Sequence, residues 1–175
     1  LDYVWGFNTP SKALYEAYEA GDPRKAATIM ERGATLEDGV KIPSGAPNAY
    51  YNKKVYPWLV EQTKPNRNFN SYWYFGAWIN IRLMRYADVV LMNAEAANEI
   101  GGEEMIDEAL EKLEMVRNRA RGGNPDILPK VTTRNQAELR DKIRFERRIE
   151  LAMEHERYFD IVRWGIAGDV LGAKW

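Results

Sequence analysis

The sequence predicts an all-α fold of helical hairpins that carries one long irregular, aromatic-rich loop region. Three observations predict it. Ile79 to Ile100 (INIRLMRYADVVLMNAEAANEI) repeats apolar residues at a helical period. Glu103 to Arg121 repeats them again, directly after Gly101-Gly102. Residues 33–70 lose periodicity among Gly39, Pro43, Gly45, Pro47, Pro57 and Pro65.

In chain order, Ser11 to Ala20 is expected as a short helix, with Ser11 as N-cap and Ala13, Leu14, Ala17 and Tyr18 as its apolar face. Gly21-Asp22-Pro23 stops it, and Arg24 to Met30 is expected to add one or two helical turns. The irregular 33–70 segment offers only short extended pieces such as Gly39–Ile42. A loop of that length inside a compact domain is usually functional. Around it cluster Tyr50, Tyr51, Tyr56, Trp58, Tyr72, Trp73, Tyr74 and Trp78, with Asn48, Asn52, Asn66, Asn68 and Asn70 among them. Flat rings with polar edges suit sugar faces, and amides suit sugar hydroxyls. The alternative is that the rings pack the loop onto the helical core.

The central helix, 79–100, places Ile79, Leu83, Tyr86, Ala87, Val90, Ala94 and Ala97 in one stripe. Its alanines predict close approach by another helix. Glu103–Arg121 supplies one, with Ile106, Ala109, Leu110, Leu113, Val116 and Ala120 in phase. Acids crowd its first turns and arginines its last, which complements the helix dipole. Two helices reversed by a Gly-Gly turn make a tetratricopeptide-like hairpin. After a loop to Arg134, a helix over 136–156 is expected, studded with i,i+3 and i,i+4 pairs: Asp141/Arg144, Lys142/Glu146, Arg147/Glu150 and Glu154/Arg157. A bend and a last helix over 158–164 follow. Asp160 and Arg163 are expected there as a structural ion pair beside Trp164, fixing how the last helices dock.

Composition bounds the function. The 175 residues suffice for a single domain, 1–175, with a real core. Twenty-five basic and 26 acidic residues balance, so nothing favours nucleic acid or an anionic membrane surface. No Cys is present, which excludes disulfides, thiol chemistry and a lipidated Cys within these residues. No apolar run reaches membrane-spanning length. A first residue other than Met and an end in mid-pattern are expected of a segment of something longer.

Arg85 to Glu99 (RYADVVLMNAEAANE), the EALEKLEMVRNRA helix and Arg144 to Gly165 (RFERRIELAMEHERYFDIVRWG) together resemble the SusD/RagB family. Leu14 to Ile29 (LYEAYEAGDPRKAATI) resembles it too, and all four stretches stand in the family's order. The resemblance implies the later portion of a longer, α-helical surface lipoprotein of the Bacteroidetes outer membrane. Such proteins capture glycans, or sometimes peptides, and cap a SusC-like TonB-dependent transporter. It thus implies an oligosaccharide or polysaccharide ligand, that transporter as partner, and membrane attachment through a lipid anchor outside these residues. From ring chemistry and loop position, Tyr51, Tyr56, Trp58 and Trp73 are the expected glycan contacts. A tetratricopeptide-like protein-interaction scaffold with no ligand site of its own is the alternative.

No catalytic residue, cofactor or metal is expected. The single imidazole, His155, lacks the second His of a zinc-protease motif. Glu154, His155 and Glu156 are consecutive on a helix and point apart. Glu146 and Glu150 resemble a glycosidase carboxylate pair, but stand among arginines and read as salt-bridge partners. Arg117, Arg119 and Arg121 match a helix C-terminus better than an RNA contact.

Overall fold

The computed structural model describes residues 8–56 and 82–172. The protein is mostly helical, with one small sheet among the described residues. In order come α1 (Lys12–Tyr15), α2 (Pro23–Thr28), β1 (Ile29–Glu31), β2 (Tyr50–Asn52), α3 (Tyr86–Ile100), α4 (Glu103–Arg121), α5 (Gln136–Glu150), α6 (Glu156–Arg163) and α7 (Ala167–Leu171).

The expected first helix shrinks to one turn. Ser11 Oγ accepts from Leu14 N at 3.2 Å. Ala17 N already bonds back only three residues, to Leu14 O, and the helix tightens and ends. Gly21 then turns the chain at φ 77°, where a Cβ would stand 2.7 Å from Ile127 Cγ2, so no side chain fits. Asp22 caps α2, whose first residue is Pro23. The helix expected over Arg24–Met30 stops at Thr28, and Ile29 and Met30 turn out to be strand. β1 pairs antiparallel with β2, in the register Ile29↔Asn52, Met30↔Tyr51, Glu31↔Tyr50.

The central helix is shorter than its apolar pattern. It begins at Tyr86, because Arg85 is extended (φ −141°, ψ 163°) and its guanidinium is drawn onto Glu150 and Glu154. Residues 82–85 are not helical, and 79–81 lie outside the described residues. Leu83 and Tyr86, expected on the buried stripe, are 83% and 73% exposed. Val90, Ala94 and Ala97 are buried, joined by Leu91 from outside that stripe. α4 folds back along α3 after Gly101 and Gly102, both at positive φ. Ile106, Ala109, Leu113 and Val116 of α4, with Leu139 and Ile143 of α5, complete this core.

α5 ends at Glu150, six residues before its expected end. Met153 and His155 take positive φ, which no helix continues through, and α6 restarts after His155. At its other end, Asn135 Oδ1 accepts from the backbone N–H of both Ala137 and Glu138. Asn135→Ala removes that cap and is expected to cost about 1 kcal/mol in urea unfolding. An unchanged midpoint would contradict the assignment.

Two smaller clusters flank the helical core. Met30, Leu36, Ile42 and Tyr51 pack beneath the sheet, with Tyr56 against them. Tyr18, Ile29 and Ile149 join the sheet to α5. This places β2 and α2 beside the C-terminal end of α5, where the acidic residues of that helix lie.

Candidate functional site

The inward face of α5 carries buried charges beside its apolar Leu139, Ile143 and Ile149. Glu146 is 0%, Arg147 2% and Glu150 3% exposed. Burying such charges is tolerable only when each is paired and hydrogen-bonded. Of the expected local pairs, the members Glu146, Arg147, Glu150 and Glu154 take long-range partners instead, because this face turns onto other elements. Glu146 receives Arg24 of α2 and, at 2.9 Å, Arg117 of α4. Glu150 receives Arg24 at 3.1 Å, Arg85 at 2.6 Å and Arg119 at 2.5 Å. Glu154 receives Lys54 at 2.5 Å and Arg85 at 2.6 Å. Burial pushes the Glu150 carboxyl up, but the hydrogen bond and charge of Arg85, with Arg119 and Arg24, hold it below its ordinary value. Glu154 is likewise held low, where Arg85 and Lys54 outweigh burial. A carboxyl held low keeps no proton to give, so Glu150 is unsuited to the acid role of a glycosidase.

A second network closes the other side of α5. Arg147 donates to Asp88 of α3 at 2.8 Å and to Asp160 of α6 at 3.1 and 3.2 Å. Arg163 donates to Asp160 at 2.8 Å and, through both terminal nitrogens, to Glu95 at 2.6 Å. Trp164 donates its indole N–H to the same Glu95 at 2.7 Å. The Arg144 and Arg163 guanidinium carbons lie 4.8 and 4.9 Å from the Trp164 ring centre. Asp160 and Arg163 thus meet inside a larger set whose centre, Arg147, sequence reasoning assigned to Glu150 instead.

Above the first network lies an open groove of about 740 Å³. α2 forms one wall, Lys53 and Lys54 after β2 another, and Arg82, Arg85 and Arg119 a third, with Glu150 and Glu154 at the base. In sequence, Lys53 and Lys54 precede residues 57–81 and Arg82 and Arg85 follow them, so described residues on either side of that segment line this groove.

The four expected glycan-contacting rings separate. Tyr51 is 5% exposed in the cluster beneath the sheet, and its hydroxyl accepts from Asn48 N at 3.1 Å. Its faces are covered, so it supports the sheet and offers no sugar platform. Tyr56 is half-buried and donates to Asp38 Oδ2 at 3.0 Å. Burial and that carboxylate push its hydroxyl up to about 12. Trp58 and Trp73 lie outside the described residues. One aromatic pair had no sequence signal: Tyr15 and Tyr50 stack with centroids 4.3 Å apart at 16°, and Lys25 Nζ sits 3.5 Å from the Tyr15 ring centre. That stack depends on the sheet register, which a three-residue strand does not announce.

Among the described residues no cluster of His, Cys, Asp and Glu is arranged to hold a metal ion, and no helix is long and apolar enough to cross a membrane. Residues 6–175 match the SusD family. The chain is 32% identical to SusD-like protein P2 of Formosa agariphila over 178 residues, covering 96% of this chain and 33% of that protein. It is 38% identical over 99 residues to SusD-like protein P38 of the same organism, covering 53% of this chain and 18% of that one. Among solved structures, a SusD-like carbohydrate binding protein from Bacteroides fragilis aligns at a TM-score of 0.65 with 28% identity, over 93% of this chain and 36% of that one. A SusD superfamily protein from Bacteroides vulgatus shares the fold at a TM-score of 0.66 and 22% identity, over 93% of this chain and 35% of that one. These matches cover between 18% and 36% of the length of the relatives. Helical architecture, motif order and a match over residues 6–175 agree, and the chain belongs to the SusD family.

Proposed function

We propose that this chain takes part in non-catalytic capture of glycans at the bacterial cell surface and their delivery to a SusC-like TonB-dependent outer-membrane transporter. The observation that carries the reading is the family match along residues 6–175, with a structural relative at 28% identity described as carbohydrate binding. The groove supports it. Its volume lies within the range of small-molecule sites, and the segment bearing Trp58 and Trp73 is flanked by residues that line it. In this reading Tyr56, Trp58 and Trp73 offer ring faces, with Tyr51 as the buried support of the adjoining strand. Engagement of Glu146 and Glu150 by arginines argues for binding without hydrolysis. Attachment to the outer membrane is through a lipid, for which these 175 residues contain no cysteine. The protein acts as one domain, 1–175, within a longer architecture.

Titration with neutral and acidic oligosaccharides is expected to quench Trp fluorescence, and Trp58→Ala is expected to abolish the response. Full binding by that variant removes Trp58 from the site. A specific observation favours a second reading, a protein-interaction scaffold. Tyr86, Val89 and Met92 of α3 are 73%, 45% and 41% exposed, more apolar surface than a finished helix leaves bare. That reading expects no glycan response and a protein partner whose capture fails when exposed residues of α3 or α4 are made charged.

A further inference from the structure

We infer that the groove between α2, β2 and the start of α3 receives the negatively charged group of an acidic glycan, a uronate carboxylate or a sulfate ester. The inference rests on the glycan reading and narrows its substrate class. Six cationic side chains line the groove against three acidic ones, in a chain whose net charge is −1. The surplus is local.

What matters is which donors remain unspent. Arg24 and Arg85 use all three guanidinium nitrogens on Asp22, Glu146, Glu150 and Glu154 and on the Glu150 carbonyl. Lys54 donates to Glu154 and to the same carbonyl. These cations hold the base of the groove together. In return both carboxylate oxygens of Glu150 accept bonds, from Arg85, Arg119 and Arg24, and so do both of Glu154. The acids at the base are therefore screened from an incoming anion. Two guanidinium groups are left to meet it. Among the described residues Arg82, which is exposed, has no ion pair or hydrogen bond, and Arg119, its side chain 59% exposed, donates only through Nη2. A planar guanidinium fork matches a carboxylate or sulfate bidentately, in charge-assisted bonds about twice as strong as neutral ones. Neutral sugar hydroxyls gain no such advantage. Specificity for acidic residues then follows from the donors that α5 does not consume.

The test is calorimetric titration of the full chain with three probes of equal length: an oligogalacturonate, a sulfated carrageenan oligosaccharide and a neutral laminarin oligosaccharide. At least one acidic probe is expected to bind about tenfold more tightly than the neutral one, the gain of one charge-assisted pair. Raising salt from about 0.05 M to about 0.5 M, which shortens the screening length severalfold, is expected to erase most of that preference. Arg82→Gln, at an exposed position, and the Arg82→Gln/Arg119→Gln double variant are expected to shrink the acidic-to-neutral ratio, while Arg82→Lys keeps part of it. Preference for the uronate alone or the sulfate alone supports the inference and names the group. Equal affinity for acidic and neutral probes overturns it and leaves glycan capture standing. Binding of none of the three overturns glycan capture itself. Acidic preference that survives in both Gln variants, with thermal melting showing them folded, moves the anion site elsewhere and overturns the placement.

Discussion

Replacing Arg147 with methionine is expected to cost this fold about 3–5 kcal/mol, the penalty of leaving buried charges without their partner. Arg147 is 2% exposed and sits between Asp88 and Asp160, each 2% exposed. Methionine fills the stem's volume, so lost packing contributes little. What remains is two carboxylates out of water. Asp160 keeps Arg163, which donates to it through Nε and Nη2. Asp88 has Arg147 as its one ion-pair partner among the described residues, so it bears most of the cost. Urea unfolding checks the magnitude, and Arg147→Met/Asp88→Asn supplies the internal control. The double variant is expected to be more stable than Arg147→Met alone, since it removes the orphaned charge along with its partner. Were Arg147→Met as stable as the wild type, Arg147 would not bind α3, α5 and α6 together, and the account of how the last helices dock would fail.

The contrast between α4 and α5 explains how much of this was legible in the sequence. In α4 five of the six buried positions, Ile106, Ala109, Leu113, Val116 and Ala120, are apolar and only Arg117 is charged, so period, burial and helix length coincide. In α5 the buried positions include Glu146, Arg147 and Glu150. A hydrophobic pattern gives them no weight, and spacing along the helix assigns them partners three or four residues away. Their real partners, Asp88, Asp160, Arg24, Arg85 and Arg117, come from four other places in the chain. Long-range charge pairing leaves no local periodicity to read. The same holds for the sheet: Met30 opposite Tyr51 buries Tyr51, but three-residue strands carry too few alternations to declare a face. The rings were legible as chemistry. Which of them turns outward was not, because that is decided by a register.

Glu150→Gln is expected to destabilise the protein by about 3 kcal/mol at neutral pH, through the cations it leaves behind. Glu150 is the shared acceptor of Arg24, Arg85 and Arg119, which come from three separate elements. A neutral amide of the same shape retains one acceptor oxygen, offers N–H groups where acceptors stood, and leaves guanidinium groups facing one another. The pH dependence gives an independent handle. Glu150, Glu154 and Glu95 are all held below the ordinary carboxyl value of 4.5, in each case because arginine contacts outweigh burial. A carboxyl lowered by folding releases its proton more readily in the folded chain than in the unfolded one. Its contribution is therefore complete above the unfolded value and is lost as pH falls through the folded value. Stability is expected to hold steady above about pH 5 and to drop below it, by up to about 1.4 kcal/mol per pH unit for each such group. In Glu150→Gln one of these groups is gone, so the variant starts lower but falls less steeply with acid. Denaturant unfolding between about pH 3 and pH 7 measures both curves. Parallel curves would mean that Glu150 binds its proton equally in both states. Its three arginines would then sit beside it without holding its charge, and the base of the groove would have to be secured by packing alone.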